Sequence, residues 1–315
     1  MRALWGRPVD VVLVTGTPRS GTTVVGDMLA KAKGAQYLYE PLNRWVGVKH
    51  LDHDFPVPGS AEFEPTQLSE LLERIGRVDL SLKPGVFPHD TGWRRVGKRV
   101  VGSRTTMSYR RCRVDPTLRT VIWKDPFALF MAGDVAQAGI PVIVTVRNPW
   151  AVAASFKRLG WGFDVADVRR RLHEAGRDTP GYPGPPIDGR DPIRSAAGLW
   201  DLAHRSLLDD EHLGGRMVLV DLDQVVGRPL DTYQGLYRVA GLPWTDGVAK
   251  DVEDRYRQDG SQGAGTPTST KAHEWKARDV SQVNLYWKDL LTEDEAAQVT
   301  ALAGTTWERA QESFG

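Results

Sequence analysis

The chain has 315 residues, with 41 Lys or Arg against 40 Asp or Glu and 41% hydrophobic residues, which excludes a disordered chain, a basic protein that coats a polyanion and a membrane-spanning protein. No nucleic-acid partner is expected of so balanced a charge. A single cysteine, Cys112, rules out a disulfide framework, and residues 1–7 hold no long apolar run, so a cytoplasmic protein is expected.

A VDVVLV run at 9–14 predicts the first strand, with a helix over 21–30, and AQYLY at 35–39 predicts the second strand. TVIW at 120–123 precedes a helix over 126–138, PVIVTV at 141–146 one over 150–159, and MVLV at 217–220 one over 229–240. Short β-branched runs alternating with helical stretches describe an α/β fold, a parallel sheet flanked by helices, in one domain spanning 1–315. Gly34, Gly139 and Gly241 fall where helix C-caps are wanted, and Thr292 with Glu295 reads as a capping box opening a C-terminal helix. Two stretches too rich in Pro, Gly and small polar residues to pack, 178–192 and 259–270, are predicted loops at the mouth of a site. The excess of arginine over lysine is read as the base composition of a GC-rich bacterial genome.

Chemically distinctive residues follow each strand in turn: 17–23, Glu40, Lys124, Arg147 and Asp221. Ligands of open α/β sheets bind beyond the carboxyl ends of the strands, so one cleft is expected to gather them. The sharpest segment is V-T-G-T-P-R-S-G-T-T at 14–23, a strand, a tight turn and a helix start. Backbone N–H groups of such a turn and the positive end of the helix favour an anion, and Gly21 permits close approach of the backbone. The spacing of Gly16 and Gly21 equals that of the nucleotide-hydrolase P-loop, yet Thr22 stands where its lysine belongs and the cation has moved to Arg19. A second segment, V-T-V-R-N-P-W-A-V-A-A-S at 144–155, ends a strand in Arg147, supplies Pro149 for a helix's first turn and carries Ser155 on that helix.

T-P-R-S-G-T-T together with R-N-P-x5-S resembles the two binding signatures of sulfotransferases that use 3′-phosphoadenosine 5′-phosphosulfate (PAPS). The resemblance implies that Thr17, Pro18, Arg19, Ser20, Gly21, Thr22 and Thr23 hold the 5′-phosphosulfate, and that Arg147 and Ser155, eight positions apart, hold the 3′-phosphate. W-K-D-P-F-A-L at 123–129 and Y-E-P-L at 39–42 are similar to the lysine and acidic motifs of the tyrosylprotein and carbohydrate branch, and V-D-L-D-Q-V-V-G-R-P-L at 220–230 to a later strand and helix. Leu222 departs from that branch, falling where many relatives carry a tyrosine near the adenine, and Ser269, Thr270 and Lys271 are the candidates for a late phosphate loop. The resemblance also implies that PAPS is the sulfate donor, 3′-phosphoadenosine 5′-phosphate (PAP) the product, and the acceptor a hydroxyl of a carbohydrate, natural product or tyrosine-like phenol. Its specificity would lie in the variable segments 43–119, 160–195 and 258–276.

The chemistry asks for the same residue types. Sulfuryl transfer to a hydroxyl needs a base for the acceptor proton and cations for the charge that grows on the leaving oxygen, roles open to Glu40, Arg19 and Lys124. A sulfuryl group carries less charge than a γ-phosphoryl group, so fixed cations are expected to serve without a metal. Glu40 could instead sit in an ion pair, and Lys124 could hold the cleft together through Asp125 or Glu40. A P-loop small-molecule kinase and a catalytically inactive nucleotide-binding protein of the same fold are the competing readings. His50, Asp52, His53 and Asp54 have metal-ligand chemistry without distant partners and are read as a solvated loop, with His53 as reserve base. The arginines from Arg94 to Arg113 could receive an acidic acceptor but are read as a solvated surface, and most of the 11 tryptophans as core.

Overall fold

A computed structural model describes residues 8–87, 91–92, 102–177, 185–257 and 285–314. Strands β1 (Asp10–Thr15), β2 (Ala35–Tyr39), β3 (Thr120–Lys124), β4 (Val142–Val146) and β5 (Met217–Asp221) form one parallel sheet in the order β2-β3-β1-β4-β5. Around it lie α1 (Thr22–Leu29), α2 (Pro65–Gly76), α3 (Arg104–Val114), α4 (Ala132–Gln137), α5 (Pro149–Leu159), α6 (Val165–Glu174), α7 (Pro192–Leu208), α8 (Leu222–Gly227), α9 (Pro229–Val239), α10 (Asp246–Tyr256), α11 (Trp287–Leu290) and α12 (Glu293–Glu312). Alternate residues of a strand point to opposite faces. Accordingly Leu13, Trp123 and Val144 join a core with Phe156, Trp200 and Val299 of α5, α7 and α12. Val12, Val14, Ile122 and Ile143 join the other, with Val24, Val25, Tyr233 and Tyr237 of α1 and α9. Both faces are therefore covered, and the strand ends remain as the places where a polar ligand could meet the sheet. Among the described residues no helix is long and apolar enough to cross a membrane.

The five predicted strands are all present, within one residue of their expected ends. Gly139 and Gly241 follow the last helical turns of α4 and α9 with φ of +88° and +65°, and the Thr292–Glu295 capping box forms in both directions. Gly34 does not cap α1, which ends at Leu29 with Ala30 as its C-cap; the Gly34 carbonyl instead accepts the N–H groups of Arg119 and Thr120 just before β2. The helix expected over 126–138 is divided, with a 3₁₀ stretch at Pro126–Met131 before α4. Five of its six residues are buried, so surrounding packing sets the winding where no solvent face exists to favour an α-helical stripe. The loop expected over 178–192 stops at Asp191, whose side chain caps α7 by accepting the N–H groups of Ile193 and Arg194. Residues 178–184 and the whole of 259–270 lie outside the described residues.

Gly16, after β1, lies against Thr145 of β4. It has φ +147°, and a Cβ there would collide with the Thr145 carbonyl oxygen and lie 2.6 Å from Ser20 Oγ. Gly16→Ala is expected to lower the unfolding free energy by roughly 2–5 kcal/mol, from backbone strain and overpacking together. Urea denaturation checks this, and a variant as stable as the parent would show that the loop does not press on β4.

Candidate functional site

The loop between β1 and α1 is held from the side by β4. Ser20 Oγ lies 2.8 Å from Thr145 Oγ1, which donates to the Thr15 carbonyl at 3.2 Å, and Ser20 N–H donates to the Thr17 carbonyl at 3.0 Å. Thr17 and Ser20 are fully buried, and Thr17 Oγ1 has no hydrogen-bond partner among the described residues. Gly21 adopts φ +96° at the start of α1, and Arg19, without glycine's freedom, adopts φ +77°. A left-handed non-glycine residue costs on the order of 1–3 kcal/mol and persists where surrounding contacts over-determine it.

Those contacts join the two sequence motifs. Arg19 Nε donates to Ser155 Oγ at 2.9 Å, and the Arg19 carbonyl accepts from Arg147 Nη1 at 3.1 Å. Arg147 is only 4% exposed; its guanidinium lies 5.4 Å from the centre of the Tyr286 ring, and its carbonyl accepts Trp200 Nε1 at 2.9 Å. The Arg19 guanidinium in turn stands 6.0 Å from the Trp161 ring. Two segments 136 residues apart thus share one polar floor.

Two strands away, Lys124 at the end of β3 is 2% exposed and donates through Nζ to Glu40 Oε1 at 2.5 Å, while its Nζ lies 4.4 Å from the Tyr39 ring. Asn43 Nδ2 donates to Glu40 Oε2 at 3.3 Å, and Glu40 N–H donates to the Lys124 carbonyl at 2.8 Å. A residue before a proline, as Glu40 is before Pro41, ordinarily favours extended geometry. Glu40 has φ +44°, because the backbone bond to Lys124 and the turn closed by Asn43 N–H onto the Glu40 carbonyl outweigh that preference. Burial pushes the Tyr37 and Tyr39 phenols above their ordinary range, and the Glu40 charge adds to the effect on both.

The sequence matches the Sulfotransferase family over residues 11–246. The chain belongs to that family. Comparison with curated protein sequences gives no significant match. Among solved structures, the chain is similar to the sulfotransferase domain of the Synechococcus PCC 7002 olefin synthase, with 15% identity, a TM-score of 0.43 and coverage of 98% of this chain and 94% of that one. The sulfotransferase domain of the curacin biosynthetic pathway gives 14%, 0.42, 93% and 96%, and sulfotransferase STF1 of Mycobacterium tuberculosis 15%, 0.35, 91% and 78%. Membership rests on the sequence match and not on these superpositions.

The other residues that the sequence of this sulfotransferase singles out have surroundings of their own. Asp221, at the end of β5, caps α8 by accepting Asp223 N–H at 3.2 Å, and burial pushes its carboxyl up to about 6. Leu222 packs under the loop, its Cδ1 2.8 Å from where a Cβ on Gly21 would stand. The His50–Asp54 run is drawn apart: Asp52 pairs with Lys83 at 2.6 Å, Asp54 with Arg44 at 3.2 Å and His53 with Glu62 at 3.9 Å. His53 lines a cavity of about 150 Å³ with Arg44, Asp54, Phe163 and Arg171. Ser269, Thr270 and Lys271, like Arg94, Arg95 and Arg99, lie outside the described residues. Of the basic stretch, Arg104 places its guanidinium 4.5 Å from the Tyr39 ring and Arg113 pairs with Asp79. Thr145 and Asn43 are the polar groups that sequence reasoning passed over, since a threonine inside a β-branched run reads as strand and an asparagine after a proline reads as turn.

Beneath Arg147, Trp200 stacks on His204 at 3.9 Å between ring centres, and His204 Nδ1 lies 2.7 Å from the Trp200 carbonyl. Burial lowers the His204 imidazole from 6.5 to about 4. The unfolded chain therefore takes up a proton near pH 6.5 that the folded one refuses until about pH 4, so the stability this neutral ring allows is full above pH 6.5 and is lost as pH falls toward 4. The loss across that window is expected to be about 3 kcal/mol, and His204→Phe should remove most of it. Urea midpoints at pH 7 and 4.5 for both proteins check this; equal acid losses would overturn it.

Proposed function

We propose that this sulfotransferase moves the sulfuryl group of PAPS to a hydroxyl of a carbohydrate, natural product or phenolic acceptor, and that 17–23, Arg147, Ser155, Lys124 and Glu40 form its site. The observation that carries the reading is the Arg19–Ser155 hydrogen bond with Arg147 seated on the Arg19 carbonyl, because it unites the two motifs that a 5′-phosphosulfate and a 3′-phosphate would each require. The unpartnered Thr17 hydroxyl and the turn N–H groups fit an anionic donor.

In this reading Arg147 and Ser155 take the 3′-phosphate, and the 17–23 turn takes the 5′-phosphosulfate. Lys124 is already bound to Glu40 in the chain alone, so donor binding requires an exchange of partners. Lys124 turns to the bridging oxygen, and the released Glu40 carboxylate faces the acceptor. The acceptor oxygen then bonds to sulfur as the bond from sulfur to the phosphate oxygen breaks; the proton passes to Glu40, and the electron pair stays on PAP, where Arg19 and Lys124 offset the charge. The buried setting of Lys124 raises the worth of each such contact above its value in water. The acceptor is chosen by the segments 43–119, 160–195 and 258–276.

Titration with PAP and with ATP-Mg²⁺, together with labelled-sulfate transfer from PAPS to a panel of hydroxyl compounds, tests the reading. Tighter binding of ATP-Mg²⁺ would favour a kinase, and PAP binding without transfer an inactive nucleotide-binding protein. Arg147→Ala is expected to weaken PAP by about 2–3 kcal/mol while leaving a nucleotide without the 3′-phosphate nearly unchanged; equal losses would remove Arg147 from the phosphate site. Glu40→Gln keeps the shape of the side chain and removes its basic oxygen, so turnover should fall roughly 10²–10⁴-fold with PAP affinity retained. Normal turnover, or loss of PAP binding, would make Glu40 structural.

A further inference from the structure

Asp125, the residue after Lys124, is fully buried, yet no Lys, Arg or His is in hydrogen-bond contact with its carboxylate among the described residues. The nearest cation along the chain, Lys124, is engaged by Glu40. A buried carboxylate in that position costs several kcal/mol, so its partners must justify it. One oxygen, Oδ1, accepts Phe127 N–H at 3.0 Å and caps the 3₁₀ stretch. The other, Oδ2, accepts Leu42 N–H at 2.6 Å and Trp123 Nε1 at 3.4 Å. The cap alone does not demand an aspartate, because Ser or Asn would serve. What only a carboxylate supplies is acceptors on both oxygens with no donor, since an amide would turn its NH₂ toward at least one of the three N–H groups.

The reach to Leu42 crosses 83 residues and lands at a chosen place. Pro41 has no N–H, so Leu42 supplies the first amide after Glu40 by which the turn can be anchored. Glu40 itself is in left-handed backbone geometry, which needs restraint from outside, and its own N–H is tied to the Lys124 carbonyl. Asp125 N–H is tied to the Val14 carbonyl at 2.9 Å, next to the anion-binding turn. We propose that Asp125 is a positioning residue, whose carboxylate clamps the Glu40–Leu42 turn to the ends of β1 and β3 so that Glu40 meets Lys124. The inference rests on the reading of Glu40 as the base. Burial first, and then the Glu40 charge, push the Asp125 carboxyl up to about 7, with Lys124 acting in the opposite sense; Tyr39 is the other ionisable group facing it. The clamp is therefore complete above neutral pH and weakens on acidification, when a protonated carboxyl loses one acceptor.

Asp125→Asn tests the clamp. The variant should melt cooperatively and bind PAP within threefold of the parent, while amide exchange at Leu42 accelerates at least tenfold and PAPS turnover falls roughly 10–100-fold, as for a small misplacement of a reacting group. In a Glu40→Gln background the same substitution should cost less than threefold, because a residue acting through Glu40 has nothing left to place. An equal loss in both backgrounds, or unchanged Leu42 exchange, overturns the proposal. Should Asp125→Asn not fold, the parent protein decides: Leu42 protection, corrected for intrinsic exchange, should drop at least tenfold between pH 8.5 and 5.5, and constant protection overturns the clamp. A parent that neither binds PAP nor turns over PAPS defeats the transfer reading instead, while the Leu42 exchange still reports on the clamp.

Discussion

The register of the central parallel strands is the constraint on which the rest depends. Val14 of β1 stands beside Lys124 of β3, Lys124 beside Tyr39 of β2, and Thr15 beside Val144 of β4. Parallel strands all finish at the same edge, so this register sets the phosphate-type turn, the lysine, the glutamate and the arginine around one rim although they are spread over more than a hundred residues of chain. A slip of one residue would turn Lys124 into the opposite face and bring an apolar side chain to the rim. The close seating of Gly16 against Thr145 resists such a slip between β1 and β4, because no other residue type fits there.

Concentrating charge at that rim has a cost, and the structure meets it with unlike partners. Arg147 gives a hydrogen bond to a backbone carbonyl and faces Tyr286; Arg19 gives one to a serine and faces Trp161; Lys124 pairs with Glu40 and faces Tyr39. Aromatic faces attract cations and, unlike carboxylates, do not neutralise them. The Lys124–Glu40 ion pair is the contact that the proposed reaction must open, and the left-handed backbone at both Arg19 and Glu40 shows how much neighbouring structure is committed to placing these two side chains.

Support from outside the rim follows the same pattern of polar groups reaching across the chain. Trp200 and His204 form a column under Arg147, and Asp125 links three strand ends. Farther out, buried Arg171 of α6 donates to the carbonyls of Asp54 at 2.9 Å and Phe55 at 2.7 Å, fixing the segment that follows Glu40 onto the helices beyond α5. Part of the segments proposed to choose the acceptor is thus moored to the framework by side-chain hydrogen bonds to backbone carbonyls.

The sequence by itself determined the strands, the order of chemical residues along them and the family likeness. Short β-branched apolar runs and a glycine-bounded turn are local features, governed by side-chain burial and backbone sterics within a few residues. It also marked Arg19, Glu40, Lys124, Arg147 and Ser155, since each follows a strand directly or lies on the first helix after one. It did not reveal that Arg19 bonds to Ser155, that Glu40 departs from the extended geometry Pro41 favours, or that Asp125 faces inward to a turn 83 residues away. Nor did it reveal that His53 would stand beside Glu62. These are matters of which polar group meets which across the sheet. A buried donor or acceptor takes the partner that the packed strands bring within hydrogen-bond reach, and only the tertiary structure sets that distance.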